Sequence, residues 1–164
     1  MKNMKYMSLM VALLCTLSLT FTACSDDDDE TKDMQKPVIT DTGIVADPID
    51  CQVYRRGQVI PFSYVFTDDT ELGKYNIEIH NNFDHHTHST SSAECEQEAD
   101  KAPVKAWVYN QDFNDIPAGS RQYKARVDIA IPQDIDTGDY HFMVRVTDRA
   151  GWQEMKAMAI KITE

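Results

Sequence analysis

Asp136-Thr137-Gly138-Asp139-Tyr140-His141-Phe142-Met143-Val144-Arg145-Val146-Thr147 is the stretch from which the fold can be read. An acidic turn containing a glycine opens it. Tyr140, Phe142, Val144 and Val146 then fall on one face, with His141 and Met143 on the other. A period of two with one apolar face is the pattern of a strand in an antiparallel sheet. The same alternation recurs on both sides. Gln58 to Phe66 puts Ile60, Phe62, Tyr64 and Phe66 inward. Lys74 to His80 puts Tyr75, Ile77 and Ile79 inward and Asn76, Glu78 and His80 outward. Val104 to Val108 reads as a short strand. Gln122 to Ile131 buries Tyr123, Ala125, Val127, Ile129 and Ile131, and Met155 to Ile162 buries Met158, Ile160 and Ile162. Turn residues stand between them: Arg55-Arg56-Gly57, Ala118-Gly119, Thr137-Gly138 and Ala150-Gly151. No segment keeps a helical period.

Short strands of this kind, spread from Pro37 to Glu164, imply an all-β, single-domain antiparallel sandwich. Each inward aliphatic or aromatic contributes about 1.5–3 kcal/mol, which is adequate for a core of this size. Asp136 to Phe142 resembles the turn into strand F of immunoglobulin-like domains. That resemblance makes Tyr140 the corner tyrosine, with Phe142 where a cysteine is usual. Val146-Thr147-Asp148-Arg149-Ala150-Gly151-Trp152 resembles the F–G hairpin of bacterial immunoglobulin-like modules. Glu78-Ile79-His80-Asn81-Asn82-Phe83-Asp84-His85-His86-Thr87-His88-Ser89 and Gly138 to Phe142 carry a further likeness, over about residues 37–164. In these the domain resembles a family of Bacteroidetes lipoproteins of unknown function, domain of unknown function 4625. The likeness implies an exported immunoglobulin-like domain and lends no activity.

The amino terminus gives an address. Lys2 and Lys5 precede an apolar run from Met7 to Leu19, too short to cross a bilayer as a helix. Phe21-Thr22-Ala23-Cys24 followed by Ser25 and four aspartates reads as a lipoprotein signal, with residues 1–23 removed and Cys24 lipidated. The alternative is an ordinary secretory signal cut near Ala23. Multiple acyl chains give stable anchoring where one is marginal. Residues 24–36 are then a lipidated cysteine and an acidic, disordered tether, leaving the domain at 37–164. The aspartate run is a solvated spacer by composition. It also resembles the acidic export signal of Bacteroidetes lipoproteins, which implies palmitate on Cys24 and the cell outer membrane, facing outward.

The formal charge of −11 becomes −13 once Lys2 and Lys5 are lost. Phosphate contacts need clustered Lys and Arg, so nucleic acid is not an expected partner. Cys15 leaves with the leader and Cys24 carries lipid, so Cys51 and Cys95 remain. In an oxidising compartment the pair reads as one disulfide; two thiolate metal ligands are the rival.

His80, His85, His86 and His88 lie within nine residues, and His141 is distant. In an immunoglobulin-like sheet the end of strand C meets the start of strand F, so His80 and His141 are expected as outward cross-strand neighbours. The loop with His85, His86 and His88 leaves from the same end. In an extended loop His86 and His88 share a face and His85 points away. Imidazole suits zinc, copper, nickel and iron, and Met143 or Met155 would favour copper(I) if either reached. All five histidines are therefore candidate ligands for zinc or copper. The competing reading is a polar loop over a packed His80/His141 pair.

Calcium is a second candidate, through Asp68, Asp69 and Asp148 at the opposite end of the sandwich, although turn capping by aspartate is the preferred explanation. The Asp134 to Asp139 run also reads as a turn, since the twelfth position of an EF-hand loop would be Arg145. No nucleophile elbow, phosphate loop or dinucleotide fingerprint is present. Trp107, Tyr109, Phe113 and Trp152 are a candidate stacking platform for a glycan, with core packing as the simpler role. The expectation is a monomeric, membrane-anchored binding protein rather than an enzyme. It captures a transition metal through the histidines, or is an interaction module for a glycan, a host protein or an outer-membrane receptor.

Overall fold

The computed structural model describes residues 32–88 and 95–164. The leader, the Cys24 lipidation site and residues 25–31 of the tether lie outside the described residues. Among the described residues there are eight strands and no helix: β1 (Val38–Thr40), β2 (Gln52–Arg55), β3 (Val59–Thr67), β4 (Leu72–Asn81), β5 (Tyr109–Phe113), β6 (Gln122–Ala130), β7 (Gly138–Asp148) and β8 (Gln153–Thr163). They form two sheets, ordered β1-β3-β6 and β2-β8-β7-β4-β5. This is an all-β sandwich in which the strands expected at 58–66, 74–80, 122–131, 140–147 and 155–162 are β3, β4, β6, β7 and β8.

The alternation in the sequence is the packing of the two inner faces. Phe62 of the small sheet stacks on Phe142 of the large one at 5.7 Å, and Phe66 meets Tyr75 at 5.1 Å. Ile60, Ile77, Ile79, Val144, Val146 and Ile162 are fully buried between them. Tyr140 takes the corner position: its hydroxyl donates to the Asp136 carbonyl at 2.7 Å and accepts from the Trp107 N–H at 3.3 Å.

Three expectations are corrected. The large sheet is mixed, because β2 runs parallel to β8; a four-residue edge strand has too short a period to be recognised alone. β1, of three residues, was equally silent. The strand expected at Val104 to Val108 is instead β5, beginning at Tyr109. Val104 and Val108 are 93 and 67% exposed, and the segment buries Trp107. Phe113, stacked on Tyr75 at 4.7 Å and 6°, anchors the true pairing with β4.

The residues just ahead of β1 are attached to the domain. The Trp152 indole donates to the Asp33 carbonyl at 3.1 Å, the Gln35 amide donates to Asp69 at 3.1 Å, and Lys36 pairs with Glu154. At that pole β4 starts with a bulge between Leu72 and Lys74. Gly73 is required there: a Cβ would sit 2.8 Å from the carbonyl oxygens of Thr147 and Asp148.

The opposite pole carries the long 82–108 connection between β4 and β5. Asn82 and Phe83 are buried, and Lys101 N–H bonds the Phe83 carbonyl at 3.1 Å. Cys51 and Cys95 form a disulfide with a Cα separation of 5.4 Å. Since Cys51 N–H also bonds the Ala159 carbonyl of β8 at 2.8 Å, this bond fastens the connection to the β8 side of the sheet.

Candidate metal centre

His80 and His141 face one another as a rung of the β4–β7 ladder, as the topology required. Both side chains leave the sheet on its outer face, but that face is not open. Residues 82–88 lie over it, the His86 carbonyl against His141, and His141 is fully buried and His80 largely covered. His85 has a left-handed backbone, φ 54°. Its ring is directed to Asp100 and Asp139 and not to the other histidines.

Three imidazole nitrogens converge. His80 Nε2 lies 3.2 Å from His86 Nε2 and 3.1 Å from His88 Nε2. One ligand atom from each of the three lies within 4.8 Å of the others. The His141 ring sits against this trio, its centroid 5.5, 5.0 and 4.9 Å from those of His80, His86 and His88.

The outer contacts fix the protons. His86 Nδ1 is 2.5 Å from Asp84 Oδ1, and that hydrogen bond holds the Asp84 carboxyl below its ordinary range. An ionised carboxylate only accepts, so the proton is on His86 Nδ1 and the Nε2 lone pair faces the centre. His80 Nδ1 lies 3.1 Å from Glu78 Oε1, an ion contact without hydrogen-bond alignment. A bare Nδ1 lone pair facing that carboxylate would be repelled, which again places the proton on Nδ1. Burial, and then the neighbouring His88 and His86, lower the His80 pKa against the opposing pull of Glu78. The neutral ring therefore presents an Nε2 lone pair to the lone pair of His86. Two lone pairs 3.2 Å apart repel unless a proton or a metal cation lies between them. A tetrahedral metal with nitrogens at about 2.0–2.1 Å spaces them about 3.3–3.4 Å apart, close to what the histidines already adopt.

His141 has a different part. Its Nε2–H donates to the backbone carbonyl of His86 at 3.0 Å, and its buried Nδ1 has no partner among the described residues. Burial pushes its pKa down to about 4, so the ring is neutral near pH 7. It holds the loop at His86 from beneath, and it is not one of the three residues whose ligand atoms lie within 4.8 Å of one another, so the expectation of His141 as a ligand is corrected.

A family model described as a domain of unknown function (DUF4625) matches residues 22–163. The chain belongs to that family. A comparison with the curated proteins gives no match. Membership in DUF4625 therefore supplies no chemistry, and the side chains must be read directly.

Several expected ligands of this DUF4625 domain are used otherwise. His85 is not in the cluster: its Nδ1 pairs with Asp100 at 2.7 Å and its Nε2 lies 3.9 Å from Asp139. Asp136 accepts from the Val104 and Lys105 N–H groups, each at 2.7 Å, and Asp134 pairs with Lys105, so the run between β6 and β7 caps a turn. Asp139 accepts from Glu98 N–H at 2.8 Å. The Met155 sulfur sits against Arg145 at 3.7 Å, while Met143 stands opposite Glu78 in the ladder. The trio's donors are thus nitrogen backed by carboxylates. The aromatic platform is not assembled either: Trp107 is buried, Phe113 stacks on Tyr75, and Trp152 lies beside Asp33 at the other pole. Sequence reading missed Asp84 and Glu78 as proton-fixing partners. For Glu78 the i, i+2 spacing from His80 within β4 is a usable signal, since alternate residues of a strand share a face; Asp84 reaches His86 across the left-handed His85, which no periodicity announces.

Proposed function

We propose that this protein binds a divalent transition metal, zinc or copper(II), through His80, His86 and His88. His141 holds the loop through the His86 carbonyl. The observation that carries the reading is that His80 Nε2 lies 3.1–3.2 Å from the Nε2 atoms of both His86 and His88 while Asp84 and Glu78 engage the opposite nitrogens of two rings. Nitrogen donors with carboxylate support suit zinc and copper(II). The protein acts in this proposal as a lipid-anchored capture module of the outer membrane, held through Cys24 and facing outward. The support for that location is the leader pattern in the sequence.

The alternative is a glycan- or protein-binding module. The cleft beside the disulfide, lined by Val53, Asn82, Tyr140, Ile160 and Lys161 among others, is about 260 Å³. That is below the range of about 300–1,000 Å³ usual for small-molecule sites, which favours the metal.

Metal content and zinc titration of the purified protein test the reading, beside the His86→Ala, His88→Ala double variant. Stoichiometric zinc or copper in the parent and its loss in the variant are expected. Equal uptake by both would end the proposal. Fractionation of cells carrying Cys24→Ala tests the anchor separately: the protein is expected to leave the membrane fraction, and retention would refute lipid attachment there.

A further inference from the structure

At the pole opposite the histidines, Asp33, Asp68 and Asp69 each place a carboxylate oxygen within 4.8 Å of the others. Asp148, which ends β7, adjoins them: the charges of Asp33 and Asp68 both act on it. Turn capping accounts for half of this arrangement. Asp68 Oδ1 accepts from the N–H groups of Thr70 at 2.9 Å and Glu71 at 2.7 Å. Asp148 Oδ1 accepts from Gly151 at 2.6 Å and Trp152 at 2.8 Å. Asp33 Oδ1 accepts from Gln35 N–H at 3.0 Å.

The other oxygen of each has no such explanation. Oδ2 of Asp33, of Asp68 and of Asp148 is buried and without a hydrogen-bond partner among the described residues. Asp68 is only 9% exposed and Asp148 only 4%. Among the described residues no lysine or arginine pairs with any of the four: Lys36 is taken by Glu154 and Arg149 by Glu71. Capping a turn needs one oxygen. Burying the second, next to others of like charge, is costly unless a cation compensates it.

We propose that Asp33, Asp68 and Asp69 form a calcium site that joins the segment preceding β1 to the β3–β4 loop, with the buried carboxylate of Asp148 bordering it from the end of β7. The donors are all hard oxygens, which suit calcium and not the metals of an imidazole centre. Loop-borne carboxylates and one exposed ligand, Asp69, allow the loose coordination that calcium accepts and magnesium does not. A dissociation constant of about 10⁻⁴–10⁻³ M, as in extracellular calcium modules, is the expected range. The ion would fix where the chain meets the sandwich, since Asp33 lies ahead of the first strand.

Trp152 makes the site directly observable, because its indole bonds the Asp33 carbonyl. In the purified, EDTA-treated protein, terbium chloride should give tryptophan-sensitised emission that calcium chloride quenches. Calcium at tenfold its dissociation constant should raise the Tm by about 5 °C. Asp68→Asn with Asp148→Asn retains a carbonyl oxygen for each cap and should abolish both responses. In EDTA that variant should melt above the parent, since like-charge repulsion is gone. Asp33→Asn, outside every strand, is the second variant should the pair fail to fold, and should weaken calcium at least tenfold. Trp152→Phe should lose emission and keep the calcium shift, and His86→Ala with His88→Ala should keep both. Absence of a calcium shift in the parent, or a shift that survives the asparagine pair, would overturn the proposal.

Discussion

Replacing His86 by alanine separates metal binding from folding more cleanly than any other change at the centre. The side chain is about one-third exposed, and its backbone carbonyl, which holds His141, survives the substitution. Without metal the variant should match the parent within about 0.5 kcal/mol, as for an ordinary surface change. With metal it loses one of three converging nitrogens and the Asp84-supported one at that. Loss of a supporting partner alone costs 10–100-fold in affinity, so loss of the ligand should cost about 100-fold or more. Zinc at a hundredfold the parent's dissociation constant adds about 2.7 kcal/mol of stability, or roughly 10 °C in Tm. At the same zinc concentration the variant sits near its own dissociation constant and gains about 0.4 kcal/mol, a shift of about 1–2 °C. Differential scanning fluorimetry with and without zinc measures both numbers. A full zinc shift in the variant would refute the assignment of His86. An equal fall in Tm without metal would show that the ring serves packing instead.

Three further outcomes follow from the same geometry. The folded pKa of His141, about 4, lies below its ordinary value of 6.5, so the unfolded chain takes up its proton first on acidification. The metal-free protein should therefore hold full stability above about pH 6.5 and lose on the order of 3 kcal/mol as pH falls to 4, and His141→Phe should flatten that slope in urea titrations. Replacing Cys51 and Cys95 by serine should cost about 2–4 kcal/mol in denaturant unfolding and weaken zinc, because the histidine connection is then held at fewer points. Tyr140→Phe removes a hydroxyl that serves both the Asp136 carbonyl and the Trp107 N–H, and should cost about 1–3 kcal/mol by urea unfolding.

The parts of the fold legible in the sequence were those where one residue in two is apolar over seven or more positions. β3, β4, β6, β7 and β8 are of that kind, and the His80–His141 rung followed from the pairing that the immunoglobulin-like resemblance implies, together with strand parity. β1 and β2 are too short for a period, and the Val104–Val108 alternation imitated a strand that lies five residues further on. At the site, parity separated His85 from His86 and His88 correctly. It failed for burial: His141, outward on β7, is buried because the loop that follows β4, distant in sequence, covers it. Nothing local in Asp33 announced that it would join the loops of Asp68 and Asp148; only the docked chain segment brings it there.

The Cys51–Cys95 bond gives the histidine centre a history. Thiols kept reduced by a glutathione pool do not retain such a bond. A newly made chain in reducing surroundings lacks the clasp between the 82–108 connection and the β8 side of the sheet. His86 and His88, carried by that connection, then have less to hold them over His80. If the histidines bind metal as proposed, that competence would be acquired by oxidation, and a chain not yet oxidised would be a poor competitor for the metal around it.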